Sequence, residues 1–167
     1  MPQSASPASR RMHDDKVFLD TSVLVYFFDG RHATKRTAAR EWVARLWENK
    51  AAKLSWQVLN EFYANANPKI GLAVAYARAA VMRFAELEAV DTSKGLINRA
   101  WHWMDYAQVN WRDALILASA EQLDCRWLLS EDFQTGRKYG TVTVVNPFKL
   151  GPEDLGFSRI GPAETRQ

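Results

Sequence analysis

Cysteine is nearly absent from this chain of 167 residues. Cys125 is the single one, so there is no disulfide framework and no cysteine-based metal site. Histidine is scarce as well: His13, His32 and His102 stand at no metal-ligand spacing and read as surface or packing residues. No Ser-His-Asp or Cys-His arrangement is readable. The eight glycines never gather into a phosphate loop, which excludes the nucleoside-triphosphate and dinucleotide fingerprints. No apolar run approaches the roughly 20 residues of a membrane span. The first fifteen residues, MPQSASPASRRMHDD, lack the apolar core of a secretory signal. The expectation from these absences is a soluble protein of a reducing cytoplasm.

What is present is ordinary in bulk and unusual in one respect. Hydrophobic residues make up 47% and charged residues 25%, the balance of one soluble domain large enough to fold alone. Lys and Arg exceed Asp and Glu by 22 to 19, a net +3 that permits nucleic-acid binding without arguing for it. Seven tryptophans are many for this length, and core and interface packing is their expected role.

Residues 1–15, rich in Ser, Pro and Ala, read as a disordered extension. Val17-Phe18-Leu19 reads as a buried strand that stops at Asp20, and Thr21-Ser22 opens an apolar helix reaching Phe28 before the Asp29-Gly30 turn. Helical spacing follows over 33–49, with a short strand at Lys53–Ser55. Ser55 then caps a helix over 56–66 that stops before Asn67-Pro68. A fourth helix is expected within 71–88, a short edge strand at 89–91, and a helix capped by Thr92 or Ser93. Asn110 opens another. Cys125–Leu129 and Thr141–Val145 read as strands, and 150–167 as a peripheral or disordered tail. Helices alternating with short strands argue an α/β fold around a small, mostly parallel sheet, in one domain over 16–149.

Two of these strands end alike, in an apolar run followed by an acid and a hydroxyl: FLDTS at Asp20 and WLLSED at Asp132. If they are parallel neighbours, both acids emerge at the sheet edge where open α/β folds bind ligands. Glu61 sits mid-helix between Leu59, Phe62 and Tyr63, and Asp113 lies three residues after Asn110. Each acid also has a plainer reading. Asp20 and Asp113 can serve as helix caps, Asp132 as a first-turn acid, and Glu61 as a helix-boundary residue. Together, four carboxylates with nearby hydroxyls and no matching His or Cys form an oxygen-only set. Such a set suits Mg²⁺ or Mn²⁺ rather than zinc.

At this point the chain resembles the PIN-domain family and, within it, the VapC-type toxin ribonucleases of bacterial toxin–antitoxin pairs. FLDTSVLVYFFD, WQVLNEFY, WRDALILASAEQLDCRWLLSEDFQTG and the closing VVNPF carry the resemblance, in that order, over residues 17–148. It implies a three-layer α/β/α sandwich in which Asp20, Glu61, Asp113 and Asp132 are catalytic, metal-binding acids. Ser22 and Ser130 match the small hydroxyl positions beside them, while Asp29, Asp91 and Asp105 match nothing and stay as surface acids. The implied activity is Mg²⁺- or Mn²⁺-dependent hydrolysis of RNA by a metal-activated water, with an antitoxin partner and a homodimer.

Substrate backbone needs cations, and Lys35, Arg36 and Arg40 on one helix face, together with Arg112 and Arg137-Lys138, are the candidates. Two other classes compete. A haloacid dehalogenase-type phosphatase would place a second Asp at position 22, where this chain has Ser. A non-catalytic RNA- or protein-binding module with the same fold is the other, and neutralising Asp20 discriminates it.

Overall fold

The computed structural model describes residues 14–159. Most of the 1–15 extension and the end of the 150–167 tail lie outside the described residues, as does His13. The described residues form a five-stranded sheet and six helices: β1 Lys16–Leu19, α1 Thr21–Phe28, α2 Ala33–Glu48, β2 Ala52–Lys53, α3 Trp56–Ile70, α4 Val74–Ala85, α5 Lys94–Ala107, α6 Trp111–Gln122, β3 Cys125–Leu129, β4 Lys138–Tyr139 and β5 Val142–Val145. A short 3₁₀ turn follows at Pro152–Leu155.

The sheet order is β2-β1-β3-β5-β4, parallel throughout except for β4, which pairs antiparallel to β5. Parallel strands need crossovers, and the helices supply them on both faces. Helix α1 packs on both α2 and α3, and α3 on α4, while α5 and α6 form a second pair, with α6 against β3 and β5. This is the expected α/β/α sandwich. Val17, Phe18, Leu19 and Leu128, Leu129 are fully buried, as strands covered on both faces require. Phe62, Leu59 and Trp42 enter the same core from the helices. Each such side chain contributes roughly 1.5–3 kcal/mol of burial.

The strand ends form a staircase. The Asp20 N–H donates to Leu129 O (3.1 Å), and the Ser130 N–H donates to Val145 O (3.1 Å). The residues following β1 and β3 are thereby held side by side at the carboxyl edge of the sheet. No helix among the described residues is long and apolar enough to cross a membrane.

Four expectations are corrected. Helix α3 runs through Asn67-Pro68 to Ile70, because the Pro lies in its last turn and few helical bonds are lost there. Gly71 then closes it at φ 70°, with Leu72 N–H bonded to Ala66 O (2.9 Å). The edge strand at 89–91 reduces to a single parallel bridge between Val90 and Ser55.

The first part of the supposed tail is packed: Phe157 is buried, and the Trp42 indole N–H donates to Pro147 O (3.0 Å) and Leu150 O (3.1 Å). Buried Arg45 adds a bond to Phe157 O (3.3 Å) and an ion pair to Glu153 (3.0 Å). At the other end, Asp15 is buried against Arg126 (2.7 Å) rather than belonging to a loose extension.

Candidate functional site

Asp20 ends β1 and caps α1. Its carboxylate accepts from Thr21 N–H (2.7 Å) and from the Ser130 hydroxyl (2.6 Å), and it is completely buried. Ser130 is buried too and accepts from the Asp132 N–H (3.1 Å), so one hydroxyl joins both strand-end acids. Asp132 itself is exposed in the loop after β3. The parallel pairing of β1 and β3 thus brings the two strand ends together, as the sequence pattern suggested.

Glu61 comes from the middle of α3 and is held by the Thr21 hydroxyl (2.8 Å) and the Gln57 amide (3.1 Å). Asp113, third residue of α6, is set by Asn110. Asn110 Oδ1 accepts from the Asp113 N–H (2.8 Å), and its amide donates to the Asp113 carboxylate (3.1 Å). The capping reading of Asp113 is therefore true as local structure. It does not exhaust the residue, because the carboxylate also faces the cleft.

Between these acids lies Arg112. Its guanidinium donates to Asp20 Oδ1 (3.1 Å), Glu61 Oε2 (2.9 Å) and Asp113 Oδ1 (3.1 Å). Acids from β1, α3 and α6 thus converge on one cation.

The electrostatics reflect crowding. Burial pushes the Asp20 carboxyl above the ordinary carboxylate range; Arg112, Ser130 and Thr21 pull it back, and the negative charge of Asp132 adds to the push. Asp113 is raised for the same first reason, opposed by Arg112 and reinforced by Asp132. Arg112 loses solvation, which alone would lower it, yet the charges of Asp20 and Glu61 leave it raised and firmly cationic.

Glu61, Arg112, Asp113 and Asp132 line one cleft of about 660 Å³, with Asp20 buried directly beneath Arg112; Thr21, Ser22, Tyr26 and Asn65 line it too, as does a second set of charges: Asp29, Arg31, His32, Lys69 and Glu131. Ser22 belongs to this lining, and its buried hydroxyl oxygen has no hydrogen-bond partner among the described residues. No three acidic, histidine or cysteine side chains among the described residues are drawn into a ready-made metal cluster. The guanidinium stands between them instead. The donor set is nonetheless all oxygen, three of its carboxylates already surround a cation, and an unpartnered hydroxyl lies alongside. That chemistry fits a hard divalent ion.

A family model for the PIN domain matches residues 17–139, which span all four acids. This chain belongs to the PIN-domain family. The match sets aside the phosphatase reading. Among solved structures, four chains match. One is the toxin VapC20 of Mycobacterium tuberculosis, named as cleaving the sarcin–ricin loop. It shares 22% identity over 68% of this chain and 87% of that one, with a TM-score of 0.51. At that identity the likeness is one of fold. No curated protein matches by sequence.

Within this PIN domain the candidate cations separate. Arg112 is inside the acid cluster. Lys35 sits at the edge of the cleft, paired with Glu131 (2.7 Å) and lying over the Tyr26 and Phe148 rings. Arg36 and Arg40 do not line it. Arg40 stacks on Phe27 and borders a separate apolar groove of about 430 Å³ with Val43, Trp47 and Phe84. Arg137 lies over Tyr139.

Two assignments change. Asp29 is buried rather than superficial, gripped by Arg31 through Nε (2.9 Å) and Nη2 (3.0 Å) and by His32 (3.1 Å). His32 is a cleft residue by the same contact. Of the cleft's basic residues, Arg31 begins the basic stretch running to Arg45 that the sequence offers as a candidate; His32 follows it in the Asp-Gly-Arg-His run after α1, and Lys69 in the last turn of α3 carries no sequence signal. Asp91 and Asp105 are exposed, as expected.

Proposed function

We propose that this PIN domain is a divalent-metal-dependent endoribonuclease, the toxin of a VapC-type toxin–antitoxin pair. One observation carries the reading: acids from β1, α3 and α6 share a single cation at the carboxyl edge of the sheet, with Asp132 beside them. Asp20, Asp113 and Asp132 would hold Mg²⁺ or Mn²⁺, with Glu61 a direct or water-mediated ligand. The bound metal supplies activation of a water and neutralisation of charge on the phosphoryl oxygens.

The rest is done by the chain. Thr21 and Ser130 fix the orientation of Glu61 and Asp20, so that the carboxylates keep their places when the cation between them changes. Arg31 and Lys69, with Lys35 at the edge, present positive charge along the far half of the cleft, beside the His32 ring. RNA phosphates on either side of the scissile one are drawn there, while the acid half takes the reacting phosphate.

As a toxin of this kind the protein works in the cytoplasm, is silenced by a cognate antitoxin, and forms a homodimer. The exposed aromatics Tyr76, Trp101, Tyr106 and Trp111 are surface of the kind that interfaces use.

The test is cleavage of end-labelled RNA, including a sarcin–ricin loop oligonucleotide, by partner-free protein. Cutting is expected with Mg²⁺ or Mn²⁺, none with EDTA, and a loss of at least ~10²-fold in Asp20→Asn, the scale of removing a group that stabilises transition-state charge. A folded wild type that binds RNA but cuts none of several substrates would favour the non-catalytic module. Cutting that survives Asp20→Asn would overturn the site.

A further inference from the structure

The position of Arg112 is odd on local grounds. It is the second residue of α6, where the helix dipole disfavours a cation and favours an acid such as its neighbour Asp113. A solvent-directed arginine would escape that end. Instead the side chain turns inward, is about one third exposed, and spends its donors on Asp20, Glu61 and Asp113. The acids hold it there, not the helix.

The oxygens it occupies matter more than the pairing. Asp20 Oδ1, Glu61 Oε2 and Asp113 Oδ1 are the acceptors that meet the guanidinium. They belong to three of the four residues assigned above to the metal. Four carboxylates against one guanidinium leave the cluster formally short of positive charge, and Asp132 makes no ion pair among the described residues. The arrangement is compensated well enough to fold and too poorly to be an end state.

We infer that Arg112 is the resident counter-cation of the acid cluster, a surrogate that keeps Asp20, Glu61 and Asp113 together and is displaced when a divalent metal binds. The inference rests on the metal-site reading proposed above. It makes Arg112 a determinant of metal affinity. The same oxygens cannot serve the guanidinium and a metal ion at once, and two cations at such range repel. Metal binding must therefore break the arginine's bonds, which weakens apparent affinity. Once displaced, the guanidinium remains tethered beside Asp113 at the mouth of the cleft, where its planar fork suits a phosphate.

The experiment is Mn²⁺ binding to the full chain by titration calorimetry, with thermal unfolding in EDTA alongside. Three proteins are compared: wild type, Arg112→Gln and Arg112→Lys. Arg112→Gln is expected to bind Mn²⁺ at least tenfold more tightly while its metal-free form melts earlier. Lys, a point charge without the fork, should fall between. Adding Asp20→Asn to Arg112→Gln should weaken the gained binding. If wild type binds Mn²⁺ and Arg112→Gln binds it equally or more weakly, Arg112 is no surrogate, and the metal site stands without it. If neither protein binds Mn²⁺, the metal-site reading falls and this inference with it. Should the Gln variant fail to fold, the Lys variant decides alone: affinity no higher than wild type overturns the proposal.

Discussion

The two ends of α1 each carry a buried aspartate with an arginine partner, and they are opposites. Asp29, at the C-terminal end, has the worse helical position, since the dipole there repels an anion. Yet Arg31 grips it through its backbone N–H, Nε and Nη2, and His32 adds a fourth contact. These bonds hold its carboxyl far below the ordinary range, although burial works against them. Asp20, at the favourable N-terminal end, is raised, because it is completely desolvated and shares its arginine with Glu61 and Asp113. The lesson is about partition of charge. An acid with a cation of its own is finished structure, whereas acids dividing one cation keep a standing demand for more.

The largest way to sharpen this contrast is to neutralise each acid in turn. Asp29→Asn should lower unfolding stability by about 2 kcal/mol, since hydrogen bonds to a charged acceptor are lost. At this chain length each kcal/mol moves the midpoint by roughly 2–4 °C. Asp20→Asn should do the reverse in EDTA, raising the midpoint slightly, because it removes a charge that burial disfavours. With Mn²⁺ present the order should invert: wild type gains stability from the metal, and Asp20→Asn does not. Thermal melts of three proteins in two buffers settle it. Equal destabilisation by both substitutions in EDTA would erase the distinction drawn here.

Acidity provides a second, smaller lever, and its sign differs between the two residues. The folded pKa of Asp29 lies below its unfolded value, so its contribution is present above about pH 4 and fades as pH falls through the folded pKa. The folded pKa of Asp20 lies above its unfolded value. Its contribution is present below about pH 4 and is lost as pH rises through that folded pKa. Stability measured against pH without metal should therefore fall more gently on the acid side in Asp29→Asn and on the rising side in Asp20→Asn. A wild-type profile matched in shape by both variants would show that neither carboxyl is shifted.

How much of this was legible follows from how local each signal is. Asp20 is readable because an apolar strand ends abruptly on it, and Asp113 because Asn110 announces a helix three residues earlier. The pairing of β1 with β3 follows from two similar strand ends. In the sequence Arg112 reads only as one cation among several. Its inward turn depends on Asp20, 92 residues away, and on Glu61, 51 away, which no local pattern records. Asp29 looked superficial because Asp-Gly signals a turn, and its burial comes from Arg31 and His32 folding back over it. The end of the chain misled in another way. Its Gly, Pro and polar composition reads as loose, and two buried anchors, Pro152 and Phe157, outweigh that average.

The smallest and most local test concerns the hydroxyl between the strand ends. Ser130 donates to Asp20 and accepts from the Asp132 N–H, so it couples a fully buried acid to an exposed one. Ser130→Ala removes both bonds and should cost about 1 kcal/mol of stability. A merely turn-closing role predicts that and nothing else. If the hydroxyl also sets the angle of Asp20, cleavage should drop roughly tenfold, the lower end of the effect of losing a hydrogen bond behind a metal ligand. The Mn²⁺ concentration giving half-maximal rate should rise with it, a readout that a structural role leaves still. Ser130→Thr keeps the hydroxyl but adds a methyl where nothing is exposed. It should retain the metal dependence of wild type at some cost in stability, separating the bond from the space it fills.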